Sequence, residues 1–93
     1  MNKYELLYII DNDLSEDEKQ AVIDRLSAVV TTAGGEVISL DKWGERKYAY
    51  DIKFKSAGYY VLMTFTAPAT VPAEINRLSR IMDEIVRIMI IKK

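Results

Sequence analysis

The spacing of apolar residues changes along the chain, from the pattern of a strand to that of a helix. Residues 3–10 are rich in aromatic and branched side chains, which predicts a strand. Ser15 and Glu18 have the spacing of a capping box, and apolar residues then recur at helical spacing. These apolar residues are Val22, Leu26, Val29, Val30 and Ala33. Gly34 and Gly35 should stop this helix, one of them in the left-handed cap conformation.

The second half of the chain shows the shorter period of strands, interrupted by one helical stretch. The predicted segments are a strand from 36 to about 43 that bends at Gly44 and resumes to 52, a hairpin loop at 55–58, a strand at 59–66 and a last strand at 85–92. Thr70 is placed to cap a second helix that has Pro72 in its first turn. Ile75, Leu78 and Met82 form the apolar stripe of that helix.

The order strand, helix, strand, strand, helix, strand is that of the ferredoxin-like split βαβ fold. We therefore expect one α+β domain over residues 1–93, with a four-stranded antiparallel sheet and both helices on one face. The first and third strands should be central, and the second and fourth should be edges. The strand residues predicted to face the core are Leu6, Tyr8, Ile10, Val61, Met63, Phe65, Ile88 and Ile90.

Apolar residues also fall on the side of the sheet that the helices should leave open. They are Leu7, Ile9, Tyr60, Leu62, Met89 and Ile91. A sheet covered on one side usually carries polar residues on the other, and an exposed apolar patch usually marks a contact site. A curled loop or tail could cover the patch instead, but 93 residues leave little chain for that. A partner interface on this face is the favoured interpretation.

The composition disfavours an enzyme. The chain has no histidine and no cysteine, which removes the usual general base, the commonest transition-metal ligand and thiolate chemistry. No phosphate-binding loop and no nucleophile motif is present. We expect no catalytic residue, no metal site and no cofactor, and we expect neither a membrane span nor a signal peptide.

The net charge of −1 conceals two halves of opposite sign. Residues 1–41 carry a net charge of −6 and residues 42–93 a net charge of +5. Such asymmetry weakly indicates a polyanion partner, and an unevenly charged solvated surface is the alternative. Residues 43–55 interleave aromatic rings with cations. That combination is compatible with RNA, because rings stack on bases while cations neutralise phosphates. Alternation along a strand must, however, point some of Trp43, Tyr48, Tyr50 and Phe54 towards the core.

The predicted edge strand carries mixed charges at Asp41, Lys42, Glu45, Arg46 and Lys47. Charges on an edge strand discourage sheet-to-sheet aggregation. They can also recognise a partner of complementary charge, and the two roles are compatible.

Several segments together resemble one family over essentially the whole chain. The longest is Gly44-Glu45-Arg46-Lys47-Tyr48-Ala49-Tyr50-Asp51-Ile52-Lys53. The others are Tyr4-Glu5 with the apolar strand after it, Gly58-Tyr59-Tyr60, the segment 74–78 and the segment 86–92. In this order they resemble the bacterial small-subunit ribosomal protein six family.

The resemblance implies a structural component of the small ribosomal subunit in the cytoplasm, without enzymatic activity or a cofactor. Members of the family pair with small-subunit ribosomal protein eighteen, and the pair binds the central domain of the small-subunit rRNA during assembly. The resemblance implies neither a membrane nor a small-molecule substrate. For the protein partner we expect contacts from the apolar patch and from Asp41, Lys42, Arg46 and Lys47. For RNA we expect contacts from Lys3, Tyr4, Arg46, Lys47, Arg87, Lys92 and Lys93.

Two other classes stay open at this point. A ferredoxin-like regulatory module would bind a small ligand at a protein interface, and the ligand would raise its melting temperature without RNA. A degenerate enzyme of this fold would need a concave pocket that holds a group with a shifted pKa.

Overall fold

Two helices and four strands make up the chain in the order that the apolar pattern predicts. The computed structural model describes the backbone of residues 1–52 and 55–93, and the side chains of residues 1–47 and 57–93. The elements are β1 (Asn2–Asp11), α1 (Glu16–Thr32), β2 (Glu36–Ile52), β3 (Lys55–Ala67), α2 (Val71–Ile81) and β4 (Ile85–Lys92).

The strands form one antiparallel sheet in the order β2-β3-β1-β4. The central positions of β1 and β3 are confirmed, as is the ferredoxin-like βαββαβ topology. Both crossovers carry a helix, and the two helices pack on the same face because their apolar stripes have one sheet surface to share.

The core lies between this face of the sheet and the two helices. Six of the eight strand residues predicted to face it are completely buried, while Ile88 and Ile90 on the edge strand β4 are half-buried against it. From α1 the core receives Val22, Leu26 and Val30, as predicted. Two buried residues of α1 were missed: Ile23, and Lys19, whose ammonium lies 4.9 Å from the centre of the Tyr59 ring.

The start and the end of α1 follow local chemistry. The Ser15 hydroxyl accepts a hydrogen bond from the Glu18 amide at 3.2 Å, and the Glu18 carboxylate accepts one from the Ser15 amide at 3.1 Å. The predicted capping box is therefore confirmed. After the last turn Gly34 has a φ of +89°, and the Gly35 amide donates to the Val30 carbonyl at 2.9 Å. This is the Schellman arrangement, and Gly34 supplies its left-handed residue.

Two local predictions are wrong. Residues 55–58 do not form a hairpin loop, because β3 already begins at Lys55 and Gly58 pairs with Arg46 in the ladder. The ladder with β2 outweighs the turn preference of these small residues. Thr70 does precede α2, but it has helical dihedrals (φ −80°, ψ −19°) and its side chain makes no capping bond. A capping side chain needs the extended backbone that Ser15 has.

Gly44 sits at the predicted bend of β2. Its φ is +81°, and the register of β2 against β3 shifts between Lys42 and Gly44. The shift inserts Trp43 as an extra residue, which is the pattern of a β-bulge. The bulge allows β2 to continue its pairing with β3 beyond Gly44.

Candidate functional site

The sheet face turned away from the helices, here called the open face, is apolar in its middle. Leu7 lies between Leu62 on β3 and Met89 on β4, and one row further along Glu5 lies between Thr64 and Ile91. Met89 is 55% exposed and Ile91 51% exposed. We call Leu7, Leu62, Met89 and Ile91 the apolar strip. All four belong to the set predicted for this face, and the register brings them together.

Ile9 was expected to be an accessible member of the apolar patch, but its side chain is buried. It does lie on the open face, between Tyr60 and Arg87, but it is only 7% exposed. A residue on a central strand is enclosed from both sides when its two neighbours carry long side chains, as these do. A partner would therefore meet the neighbours of Ile9 and not Ile9 itself.

An aromatic pair extends the apolar strip towards β2. The Trp43 ring lies parallel to the Tyr60 ring, with centroids 6.3 Å apart and an angle of 8° between the planes. The Trp43 indole N–H donates to the Asp41 carboxylate at 3.2 Å. Trp43 remains 39% exposed. The sequence alone indicates this tryptophan only as a member of the aromatic and cationic stretch 43–55. The bulge signal at Gly44 could have placed it on the open face.

The charged residues of the β2 edge divide between the two faces of the sheet. The register places Asp41 beside Leu62 and Arg46 beside Gly58, both on the open face. Lys42 is beside Val61 on the helix side, where its ammonium donates to Gln20 of α1 at 2.8 Å. Lys47 also falls on the helix side, beside Ala57. The four edge residues predicted for the partner are all exposed, but they do not form one cluster.

Three of the predicted RNA cations, Lys3, Lys93 and Arg87, lie at the two ends of the apolar strip. At one end the Lys93 amide donates to the Lys3 carbonyl at 2.8 Å, and the Lys93 ammonium lies 3.0 Å from a Glu5 carboxylate oxygen. At the other end Arg87 lies beside Ile9. Lys3 and Ile9 are six positions apart on β1, which is roughly 20 Å of strand. Lys92 pairs with Tyr4 and so falls on the helix side.

Tyr4, predicted as an RNA contact, lies in the core and not on an accessible surface. It is 5% exposed, and its ring packs against Phe65 with centroids 5.5 Å apart. Its hydroxyl accepts a hydrogen bond from the Asn2 side chain at 3.2 Å. The register puts Tyr4 on the same side of the sheet as Leu6, so its ring is buried in the core. The aromatics Tyr48, Tyr50 and Phe54 of the noted stretch lie outside the described side chains.

A groove of about 500 Å³ lies on the helix side, between α1 and α2. Its lining consists of Arg25, Ala28, Val29, Thr32, Ala33, Thr70, Val71 and Glu74. None of the predicted site residues is among them. Arg77 donates to Glu74 at 3.1 Å, and this hydrogen bond holds the pKa of that carboxyl below its usual value. The Glu74 charge is thus engaged by its own helix.

Across the described residues, no three acidic side chains come together where they could hold a metal ion. Within the same residues, neither helix has the length and apolar character needed to cross a membrane.

The fold and this face define a small α+β protein of ferredoxin-like topology that offers an open, partly apolar sheet surface. Comparison with known proteins identifies the family to which a chain of this fold belongs. The family model described as ribosomal protein S6 matches residues 3–92. The small ribosomal subunit protein bS6 of Caldanaerobacter subterraneus is 42% identical over 92 residues, covering 99% of this chain and 97% of that protein. Its counterpart in Clostridium botulinum strain Hall is 44% identical over 91 residues, covering 98% and 97%.

A solved structure shows the same architecture. The crystal structure of 30S ribosomal protein S6 from Thermotoga maritima superposes with a TM-score of 0.92 at 25% identity, covering 99% of this chain and 87% of that one. The chain belongs to the ribosomal protein S6 family. The family consists of structural proteins of the small ribosomal subunit, so the expectation that the chain is not an enzyme is confirmed.

Proposed function

We propose that the chain works in the cytoplasm as a component of the small ribosomal subunit. There it binds the central domain of the small-subunit rRNA together with small-subunit ribosomal protein eighteen during assembly. Membership of the S6 family and the names of the relatives support the ribosomal role. One observation supports separate binding surfaces for the protein partner and for RNA. On the open face an apolar strip lies between cations at its two ends.

The apolar strip is the surface that we assign to the protein partner. Met89 and Ile91 are more than half exposed on a face that the helices leave bare, and burying such side chains contributes roughly 25 cal/mol per Å² of apolar area. The Trp43–Tyr60 pair widens this surface. Aromatic residues and methionine are enriched where protein partners meet.

The cations at the ends of the strip are assigned to RNA. Lys3 and Lys93 lie at one end and Arg87 at the other, on the same face. A duplex or folded RNA presents its phosphates over such a span, and contacts of this kind fix the position of a protein on RNA. The buried position of Ile9 and the Leu7–Leu62 pair argue against base stacking across the middle of the sheet.

Two apolar residues of similar exposure give a matched test of the partner surface. Met89→Glu places a charge in the apolar strip, while Ile81→Glu places one on α2, where Ile81 is 60% exposed. Titration calorimetry with purified protein eighteen should show a loss of affinity of at least tenfold for Met89→Glu, because a charge would be desolvated. Ile81→Glu should bind like the unaltered chain. Equal binding by all three proteins would disprove the assignment.

The RNA surface is tested by the salt dependence of binding. Filter binding measures the affinity of the pair of proteins for the rRNA central domain at several salt concentrations. The slope of the logarithm of the binding constant against the logarithm of the salt concentration reports the number of phosphate contacts. Lys3→Ala or Arg87→Ala should each reduce that slope by about one unit. Arg80→Ala, on the exposed side of α2, is the control and should leave it unchanged. Unaltered slopes for both end variants would exclude the cations from the RNA contact.

A further inference from the structure

The Trp43–Tyr60 pair on the open face is bordered by a negative charge. Tyr60 lies on the β3 side of the indole, and because β2 is an edge strand, no described strand lies on the other side. The indole N–H donates to one carboxylate oxygen of Asp41 at 3.2 Å, which fixes the ring and the carboxylate relative to each other. Both residues are exposed. An aromatic ring and a carboxylate therefore face solvent side by side.

The charge of Asp41 is not matched by a cation of the described residues. Among those residues Asp41 forms no ion pair, and its side chain bonds to the indole. Lys42, the next residue, turns to the helix side and donates to Gln20. Arg46 lies on the same face, beside Gly58, but within the described residues its guanidinium makes neither an ion pair nor a ring contact. The described cations of β2 thus leave the carboxylate to another molecule.

The chemistry of these two groups selects a guanidinium. The face of an aromatic ring attracts cations, and that of tryptophan does so most strongly. Like charges repel, so the Asp41 carboxylate disfavours an RNA phosphate at this place. The planar guanidinium of arginine can stack on a ring and donate to a carboxylate at the same time, whereas the lysine ammonium is compact and strongly hydrated.

We propose that Asp41, Trp43 and Tyr60 form an arginine subsite for the protein partner. The assignment rests on the proposed function, since it gives one side chain of protein eighteen a place on the open face. The guanidinium lies against the indole and donates to the Asp41 carboxylate oxygen that the indole does not use. Burial of the apolar strip is non-directional, whereas this charge-assisted bond fixes the register of the partner.

Removal of the charge without a change of shape tests the role of Asp41. In Asp41→Asn the amide oxygen can still accept from the indole, but the charge is gone. Titration calorimetry with protein eighteen should show an affinity roughly fivefold lower for Asp41→Asn. Glu36→Gln removes the same charge from the same face of β2, where Glu36 pairs with Thr66, and should bind like the unaltered chain. An Asp41→Asn variant that binds as tightly as Glu36→Gln would overturn the proposal.

Exchange of arginine for lysine in the partner tests the guanidinium itself. Each arginine of protein eighteen is replaced in turn. One replacement should weaken binding to the unaltered chain roughly fivefold and leave binding to Trp43→Leu unchanged, because the guanidinium has already lost its ring there. If every replacement affects both chains equally, no arginine uses this subsite and the proposal fails. Binding of protein eighteen, and with it the proposed function, would still stand.

A titration without protein eighteen separates the subsite from the identity of the partner. The probe is ethylguanidinium, with ethylammonium and inorganic phosphate as controls, and the readout is the indole N–H resonance of Trp43 in heteronuclear NMR spectra. The resonance should move with millimolar ethylguanidinium, move less with ethylammonium and stay in place with phosphate. In Asp41→Asn the shift should be lost. Equal shifts from the two cations would overturn the preference for arginine. Failure of protein eighteen to bind, with the ethylguanidinium shift intact, would contradict the proposed partner and leave the subsite standing.

Discussion

The ring of Trp43 lies parallel to the ring of Tyr60, with 6.3 Å between centroids and 8° between planes. This distance is within the range of offset aromatic pairs. The contact joins the bulged part of the edge strand β2 to the central strand β3, and the indole N–H is held by Asp41. An exposed aromatic surface is thereby fixed next to the apolar strip.

Trp43 should report directly on occupation of the open face. It is the chain's one tryptophan and is 39% exposed. When protein eighteen covers this face, the indole should leave water and its fluorescence maximum should move to shorter wavelength. The measurement is an emission titration with a partner that contains no tryptophan. A saturated complex with unchanged emission would show that the partner does not reach Trp43.

Replacing Tyr8 by phenylalanine should stabilise the protein. The Tyr8 hydroxyl is buried and finds no hydrogen-bond partner among the described residues, and an unsatisfied buried hydroxyl costs about 1 kcal/mol or more. Urea unfolding should show a free energy of unfolding higher by up to about 1 kcal/mol in Tyr8→Phe. Tyr4→Phe is the control, since the Tyr4 hydroxyl accepts a bond from Asn2. It should show no gain, and a loss of stability in Tyr8→Phe would contradict the prediction.

The same residue should make stability fall at high pH. Burial raises the pKa of Tyr8 well above its ordinary value of 10.0, with Asp24 and Tyr59 adding to the shift. The folded state therefore keeps the phenol proton at a pH where the unfolded chain loses it. Ionisation of Tyr8 therefore does not affect stability below its ordinary pKa of 10.0, and stability falls as pH rises above that value because only the unfolded chain gains the ionised form. Urea unfolding between pH 9 and about 11 should show a steeper loss for the unaltered chain than for Tyr8→Phe, and parallel curves would refute this.

Gly35 should tolerate substitution less well than its neighbour Gly34. A Cβ on Gly35 would collide with the Thr66 carbonyl oxygen and with Val30. At Gly34 a Cβ would make only an ordinary contact, 3.7 Å from the Met1 Cε, and the cost is the positive φ, about 1–2 kcal/mol. Thermal unfolding of the two alanine variants should place Gly35→Ala well below Gly34→Ala. The reverse order would mean that space at the helix end is not what selects glycine.

The sequence predicts best those features that are set by short-range chemistry. The capping box at Ser15, the glycine stop of α1 and the bend at Gly44 depend on the residues themselves and their neighbours, and all three are found. The six central core residues follow from alternation on two strands whose order the topology dictates.

Features that depend on pairing between distant segments were harder to foresee. The start of β3 at Lys55 depends on its ladder with β2, and local turn preference points the other way. Lys42 turns towards α1 and Ile9 is covered by its neighbours. Tyr4 is drawn into the core by Phe65. In each case a contact made across the fold decides which predicted site residue is accessible.

The most direct test of the central claim is recovery of the protein from ribosomes. Ribosomes from cells that express the tagged chain would be dissociated into subunits, separated by sedimentation and analysed by mass spectrometry. The chain should appear in the small-subunit fraction and should be released together with protein eighteen when the salt concentration is raised. Absence of the chain from the small subunit, with the tag intact and the protein at the top of the gradient, would contradict a role in the small ribosomal subunit.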